Sequence, residues 1–411
     1  MKNKKLITFD MNKKPVRQRI YLTPLTWLLS FPSVIKHRLK INKVNMEGLK
    51  KPYILLCTHH SFMDFKVTTK ATFPSRLNYV VAIDGFIKRE WLLRNAGGIC
   101  KRKFTNDTKL IKHMKYILNE KKGIVAIYPE ARYSLIGTNA ILPESLGKLI
   151  KLFKHPVVVL NMHGDYLMQP VWNLDKRNVK LAADMTQIIK EEEIETLSVE
   201  QINARINQAF RYDEYQYQFD NQIKIDFKNR LKGISRVLYQ CPHCLKEHVM
   251  ASDKNELWCE ACGEKYVQDI YGQIRNTKGN SIFTHLPDWY EFQREQVRKQ
   301  IEDGTYYFED DVSVESLPNS KGYVDLGIMK LVHNNDGFCL YKKDGSFELK
   351  KEVLSMYGLH IEYNYMNKGD CLDLSTLENT YYIYPLNYKN VVTKLHFAVE
   401  ELYKIHKSEI K

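Results

Sequence analysis

The chain has 411 residues, 44% of them hydrophobic, and a formal net charge of +14. That length suits two to four domains of roughly 100 to 200 residues each, and the apolar content can fill real cores, which excludes a disordered chain. No apolar run reaches the roughly 18 to 20 residues needed to span a bilayer, and the basic start lacks the apolar core and small-residue cleavage site of a secretory signal.

Residues 1–50 carry twelve Lys and Arg against two acids, Asp10 and Glu47. Within them, residues 20–35 form an apolar stretch with Trp27 and Phe31, interrupted by Pro24 and Pro32 and flanked by cations. Such a segment suits the headgroup region of an anionic membrane, with its aromatics inserted. A helix packed on the main domain would show the same pattern.

The apolar run from Tyr53 to Cys57 predicts a buried strand, and it opens into Thr58-His59-His60-Ser61-Phe62-Met63-Asp64. A histidine with a pKa near 6.5 can take a proton from an alcohol at neutral pH, and a nearby carboxylate can fix its tautomer. His59 and Asp64 are therefore candidate base and orienting acid. Ser61 and Asp64 also fit a helix capping box, so the residues alone leave both readings open.

Further strands are expected at residues 77–83, 124–127 and 156–160, alternating with helices after Thr105 or Asn106 and over residues 144–154. Glycines 97 and 98 precede three cations, Lys101, Arg102 and Lys103. Strand 124–127 runs into Glu130 and Arg132, expected on the same sheet edge as His59. Ser198 and Gln201 form a capping box that opens another helix. The alternation predicts an α/β domain with a mixed sheet flanked by helices over residues 51–235.

These segments resemble the glycerophospholipid acyltransferases, in particular the lysophosphatidate (1-acylglycerol-3-phosphate) acyltransferases. The family's His-x4-Asp pattern is matched by His59 and Asp64, its Phe-Pro-Glu-Gly-Thr-Arg-Ser block by residues 128–134, and its Val-Pro-Val-Val-Pro block by residues 155–159. The resemblance implies O-acyl transfer in phospholipid biosynthesis or remodelling. The donor would be an acyl thioester of coenzyme A or of acyl carrier protein, and the acceptor a lysophospholipid-type hydroxyl, foremost 1-acylglycerol-3-phosphate. It further implies His59 as general base, Asp64 as its orienter, and Ser61, Arg102, Lys103, Glu130 and Arg132 as substrate-binding residues. The chain departs from the family where phosphate is held. Arg132 stands in place of Thr, Tyr133 in place of Arg, and the Arg expected six positions after Gly97 is Lys103, with Arg102 one place early.

Cys241-x-x-Cys244 and Cys259-x-x-Cys262, fourteen residues apart, predict a structural four-cysteine zinc ribbon over residues 236–275. Zinc ribbons often bind nucleic acid, which is the alternative function: a binding or interaction protein with an incidental His/Asp motif. Three lysines against six acids over residues 241–270 disfavour a phosphate backbone as partner. A connecting helix is expected within residues 276–305. A C-terminal α+β domain over residues 306–411, with short strands closed by a helix over residues 388–406, suggests a pleckstrin-homology-like barrel. With a membrane lipid surface as partner and cysteines grouped for metal rather than disulfides, the expected location is cytoplasmic, peripheral on the inner face of the membrane.

Overall fold

The computed structural model describes residues 8–410. The first seven residues of the basic N-terminal segment lie outside the described residues. Helix α1 (Thr23–Lys36) is followed by a seven-stranded mixed sheet made of β1 (Lys40–Val44), β2 (Tyr53–Cys57), β3 (Leu77–Ala82), β4 (Gly98–Lys101), β5 (Ile124–Ile127), β6 (Val157–His163) and β7 (Ala182–Ile189). Its order is β1-β7-β6-β2-β5-β3-β4. Strands β2 to β6 are mutually parallel, whereas β7 runs antiparallel to β6 and carries β1 on the outer edge.

β2 is apolar throughout because both sheet faces are covered. Ile54 and Leu56 join one core with Ile117, Val125 and Ile150, while Leu55 and Cys57 join the other with Val67, Ala71 and Tyr79. The covering helices are α2 (Asp64–Ala71), α3 (Glu90–Asn95), α4 (Thr108–Lys115), α5 (Ser145–Phe153), α6 (Asp165–Met168), α7 (Val199–Ala209) and α8 (Glu214–Asp220). The capping box of α7 forms as expected, with the Ser198 hydroxyl accepting from the Gln201 amide and the Gln201 side chain accepting from Ser198. The cap of α4 is neither Thr105 nor Asn106 but Asp107, whose carboxylate accepts from the amides of Lys109 and Leu110. A charged carboxylate at this position receives two amides and complements the positive end of the helix.

A small antiparallel sheet follows, of β8 (Met250–Asp253), β9 (Glu256–Cys259), β10 (Lys265–Gln268) and β11 (Ile274–Asn276), and then helix α9 (Leu286–Glu302). The C-terminal part holds β12 (Phe308–Ser316), β13 (Val324–Asn334), β14 (Gly337–Tyr341), β15 (Glu348–Glu352), β16 (His360–Glu362), β17 (Cys371–Ser375) and β18 (Thr380–Pro385), and ends in α10 (Val392–Ile410). Its antiparallel order is β15-β14-β13-β12-β18-β17-β16.

The C-terminal part is packed into the first sheet rather than tethered beside it. Arg102 follows the edge strand β4 and is 2% exposed. Its guanidinium donates to the carbonyls of Leu317, Pro318 and Glu378 and to the Thr380 hydroxyl, at 2.8 to 3.0 Å. Removing such a buried cation leaves several acceptors without donors, each a loss of about 1 to 3 kcal/mol. Arg102→Ala is expected to lower unfolding free energy by roughly 3 to 5 kcal/mol in urea titration of the full chain. A change within about 0.5 kcal/mol would show that this contact does not hold the two parts together.

Candidate active site and metal centre

The sheet delivers His59 two residues past the end of β2, and Asp64 opens α2. The carboxylate of Asp64 folds back over the intervening loop. Its Oδ2 lies 2.8 Å from His59 Nδ1 and accepts from the His60 amide at 2.7 Å, and the Ser61 amide also donates to it. The loop amides and the imidazole thus share one carboxylate, whereas the expected Ser61/Asp64 capping box does not form: the cap residue of α2 is Met63, with no side-chain cap bond, and the Ser61 hydroxyl accepts from the Met63 amide. With Nδ1 turned to Asp64, Nε2 is left to face the solvent-accessible side.

Glu130 holds the same loop from the neighbouring strand. Its Oε2 accepts from the His59 amide at 2.9 Å, and its Oε1 accepts from the Ala140 amide and the Tyr212 hydroxyl. Ala131 next to it has φ of 57°, a left-handed conformation that favours glycine and costs other residues about 1 kcal/mol. Tyr128 and Tyr133 lie on the His59 ring, with centroids 4.5 and 4.2 Å away.

Burial, with the nearby positive groups His60, Lys103 and His360, lowers the pKa of His59 well below its ordinary value and keeps the imidazole neutral. Behind it lies a second His/Asp pair, His60 Nδ1 to Asp165 Oδ1 at 2.8 Å, fully buried. Burial opposes charge on His60, but Asp165 outweighs it and raises the pKa to about 9. Burial and Asp165 also press Asp64 toward its protonated form, while the amides of His60 and Ser61 oppose this.

His59 is one of the residues lining a cavity of about 400 Å³. Its walls are apolar residues of α4 (Leu110, Ile111, Met114) and α5 (Leu146, Leu149, Leu152), with Lys101 and Lys103 on one side and Tyr357 contributed by the C-terminal part. Lys101 and Lys103 face this cavity and Arg102 faces away because successive residues of an extended chain alternate sides. The turn that sets this register is Gly97, with φ of 92°, where a Cβ would lie 2.6 Å from the Leu77 carbonyl.

Of the five residues expected to bind substrate, only Lys103 lines the cavity. Ser61 is buried in the loop, with its hydroxyl accepting from the Met63 amide. Glu130 is spent on main-chain amides, Arg102 on the C-terminal carbonyls, and Arg132 faces Glu400 of α10 at 3.6 Å. The sequence reading missed Tyr357 and the groups around Lys103, of which His360 and Asp373 come from more than 250 positions away and Asp84 from the turn after β3. The tyrosines flanking Glu130 were visible as part of the block, and only their tilted packing against His59 was hidden.

The four ribbon cysteines gather as their spacing implies. All their Sγ atoms lie within 4.8 Å of one another, with Cys241 to Cys262 and Cys244 to Cys259 both at 3.7 Å. Disulfide sulfurs would be about 2.05 Å apart. A tetrahedral ion with Zn–S bonds of about 2.3 Å spaces its sulfurs at about 3.8 Å, so the cluster suits a metal such as zinc. All four positions are thiols, which leaves no open ligand site and fits a structural rather than catalytic ion. The knuckle supports α9, since the Trp289 indole donates to the Gln240 carbonyl and the Gln240 amide to Gln293.

No family model and no curated protein matches the chain. Among solved structures, the 1-acyl-sn-glycerophosphate (LPA) acyltransferase PlsC from Thermotoga maritima overlaps at a TM-score of 0.39 and 12% identity, over 46% of this chain and 77% of that one. An overlap that shallow assigns neither fold nor activity.

Protein purified without added metal is expected to contain close to one zinc per chain by elemental analysis. Cys259→Ser should lose it together with at least about 2 kcal/mol of stability. Iron in its place, or a metal-free chain of unchanged stability, would contradict the assignment.

Proposed function

We propose that the chain is an O-acyltransferase that moves a fatty acyl group from an acyl thioester to the hydroxyl of a lysolipid acceptor at a membrane surface. The observation that carries this reading is the His59–Asp64 dyad, with His59 lining an apolar cavity. Its volume falls within the ~300 to 1,000 Å³ of ligand sites, and each acyl methylene it buries contributes about 0.8 kcal/mol.

In this mechanism His59 Nε2 removes the acceptor hydroxyl proton, and the oxygen attacks the thioester carbonyl. The C–S bond then breaks, and the thiolate leaving group takes the proton back from the imidazolium, so that the dyad returns to its starting state. Asp64 holds the productive tautomer and stabilises the transient imidazolium. Lys101 and Lys148, which line the same cavity, suit the phosphates of coenzyme A or of the prosthetic arm of acyl carrier protein.

Helix α1 supports the membrane part of the proposal. Leu28, Leu29 and Ile35 are 69%, 59% and 65% exposed, beside Lys36 and Arg38. The expected aromatic anchors are instead used for packing: Trp27 and Phe31 contact Phe73 at 4.9 and 5.4 Å, so the aliphatic face is the one offered to lipid. Lys66 of α2 donates to Ser33 of α1, tying that face to the helix that begins with Asp64. No helix among the described residues is long and apolar enough to cross a membrane. The basic segment supports contact with the anionic inner leaflet as a peripheral protein. The C-terminal strand order and closing helix support the pleckstrin-homology-like comparison, with no ligand implied.

General-base help is worth about 10² to 10⁴ in rate, so His59→Ala should retain less than a hundredth of acyl transfer in a labelled-thioester assay with lysolipid acceptors. Retention above a tenth would overturn the reading. Because His59 is held neutral to low pH, the acid limb of kcat/KM is expected below pH 6.5, with activity persisting as pH falls through that value. An acid limb at or above 6.5 would place a different group in the role of base.

A further inference from the structure

Arg102, Lys103 and Arg132 belong to the two blocks in which an acyltransferase of this kind would hold a phosphate, and of these only Lys103 stands at an expected cation position. Each is claimed by the C-terminal part. The Arg102 fork is filled by three carbonyls and a hydroxyl. Arg132 is 6% exposed and faces Glu400, which Arg294 of α9 also engages. Lys103, the one that still lines the cavity, has its ammonium 3.8 Å from Asp84, 3.6 Å from Asp373 and 2.9 Å from His360 Nε2. His360 in turn lies 2.6 Å from Asp373 and 3.4 Å from Glu362.

Three carboxylates thus surround Lys103 and His360, and two of the three come from β16 and β17. A phosphate monoester brought to Lys103 would have to displace Asp84 and Asp373 and would meet their charge, and that of Glu362, at close range in a poorly solvated site. Asp373 is buried, and its carboxylate is already engaged by His360 at 2.6 Å and by Lys103 at 3.6 Å. A phosphate oxygen at Lys103 would add like charge to this cluster, whereas an uncharged hydroxyl group would not. Lys101, at the end of β4, and Lys148, on α5, are the cavity's other cations.

Resting on the acyl-transfer reading above, we infer that the C-terminal domain is a built-in specificity element. By supplying Asp373, Glu362 and His360 around Lys103, the one of these cations that lines the cavity, it turns the acceptor subsite away from phosphate monoesters and toward uncharged, hydroxyl-bearing lipids such as monoacylglycerols or glycolipids. Asp84, Asp373 and Glu362 are the specificity-determining residues, and they act through Lys103.

The test compares 1-monoacylglycerol with 1-acylglycerol-3-phosphate of the same chain, in neutral detergent micelles, with one labelled acyl-CoA and the full-length protein. The wild type is expected to favour monoacylglycerol by at least about tenfold in kcat/KM. Asp84→Asn combined with Asp373→Asn frees Lys103 and should shift the ratio at least about tenfold toward the phosphate acceptor. Asp84→Asn alone, which leaves the C-terminal sheet intact, should shift it in the same direction should the double variant fail to fold. Equal or better use of 1-acylglycerol-3-phosphate by the wild type would overturn this inference, as would an unchanged ratio in a folded variant. Acylation of neither acceptor, with no His59-dependent consumption of thioester, would overturn the acyl-transfer reading itself and this inference with it.

Discussion

The structure depends on a cation buried without a carboxylate partner. Arg102 follows the outer strand of the first sheet, and its charge is met by carbonyl dipoles from two loops of the second, at Leu317 and Pro318 and at Glu378. Moving the guanidinium back to water would forfeit these bonds, while separating the sheets would leave the charge uncompensated. The two sheets are therefore expected to stay docked during turnover, and the cavity wall formed by Tyr357 to stay in place. A second chain of contacts reinforces this one: the cysteine knuckle supports α9, Arg294 and Arg298 of α9 pair with Glu400 and Glu401 of α10, and Glu400 reaches Arg132 beside the dyad. The ribbon, remote in sequence, thus bears on the position of a residue next to the Glu130 loop.

Within this frame the dyad is assembled almost entirely from local chain. Asp64 collects two amides and an imidazole nitrogen within six residues, and Glu130 anchors the same loop from β5. These bonds hold the imidazole in place, and the rings of Tyr128 and Tyr133 pack against it at interplanar angles of 33° and 45°. The cluster around Lys103 is assembled differently, with His360 and Asp373 brought from far along the chain, and there the chain departs most from the pattern it resembles.

That contrast explains what the sequence disclosed. β2, β3, β5 and β6, the caps of α7 and the four-cysteine cluster were legible because each is set by a short stretch: an apolar run, a capping box, two paired cysteines. β1 and β7 were not, since Lys40–Val44 is a mostly exposed edge strand, Ala182–Ile189 beside it is only partly buried, and both carry mixed polarity. His59 and Asp64 were legible for the same local reason. The fates of Arg102, Lys103 and Arg132 were hidden, because a cation's partner is decided by tertiary contact, and alternation after β4 sends neighbours to opposite faces. The sequence marks these residues as cations near the site and carries no local signal of which are already occupied.

The most direct test of the account is a structure with a non-reactive acyl thioether analogue of acyl-CoA bound. The account places the acyl chain between Leu110 and Met114 of α4 and Leu146 and Leu149 of α5. The carbon that mimics the thioester carbonyl should lie one hydroxyl group away from His59 Nε2, at roughly 4 to 6 Å. A chain bound elsewhere, or a carbonyl position that no hydroxyl could bridge to His59, would contradict it.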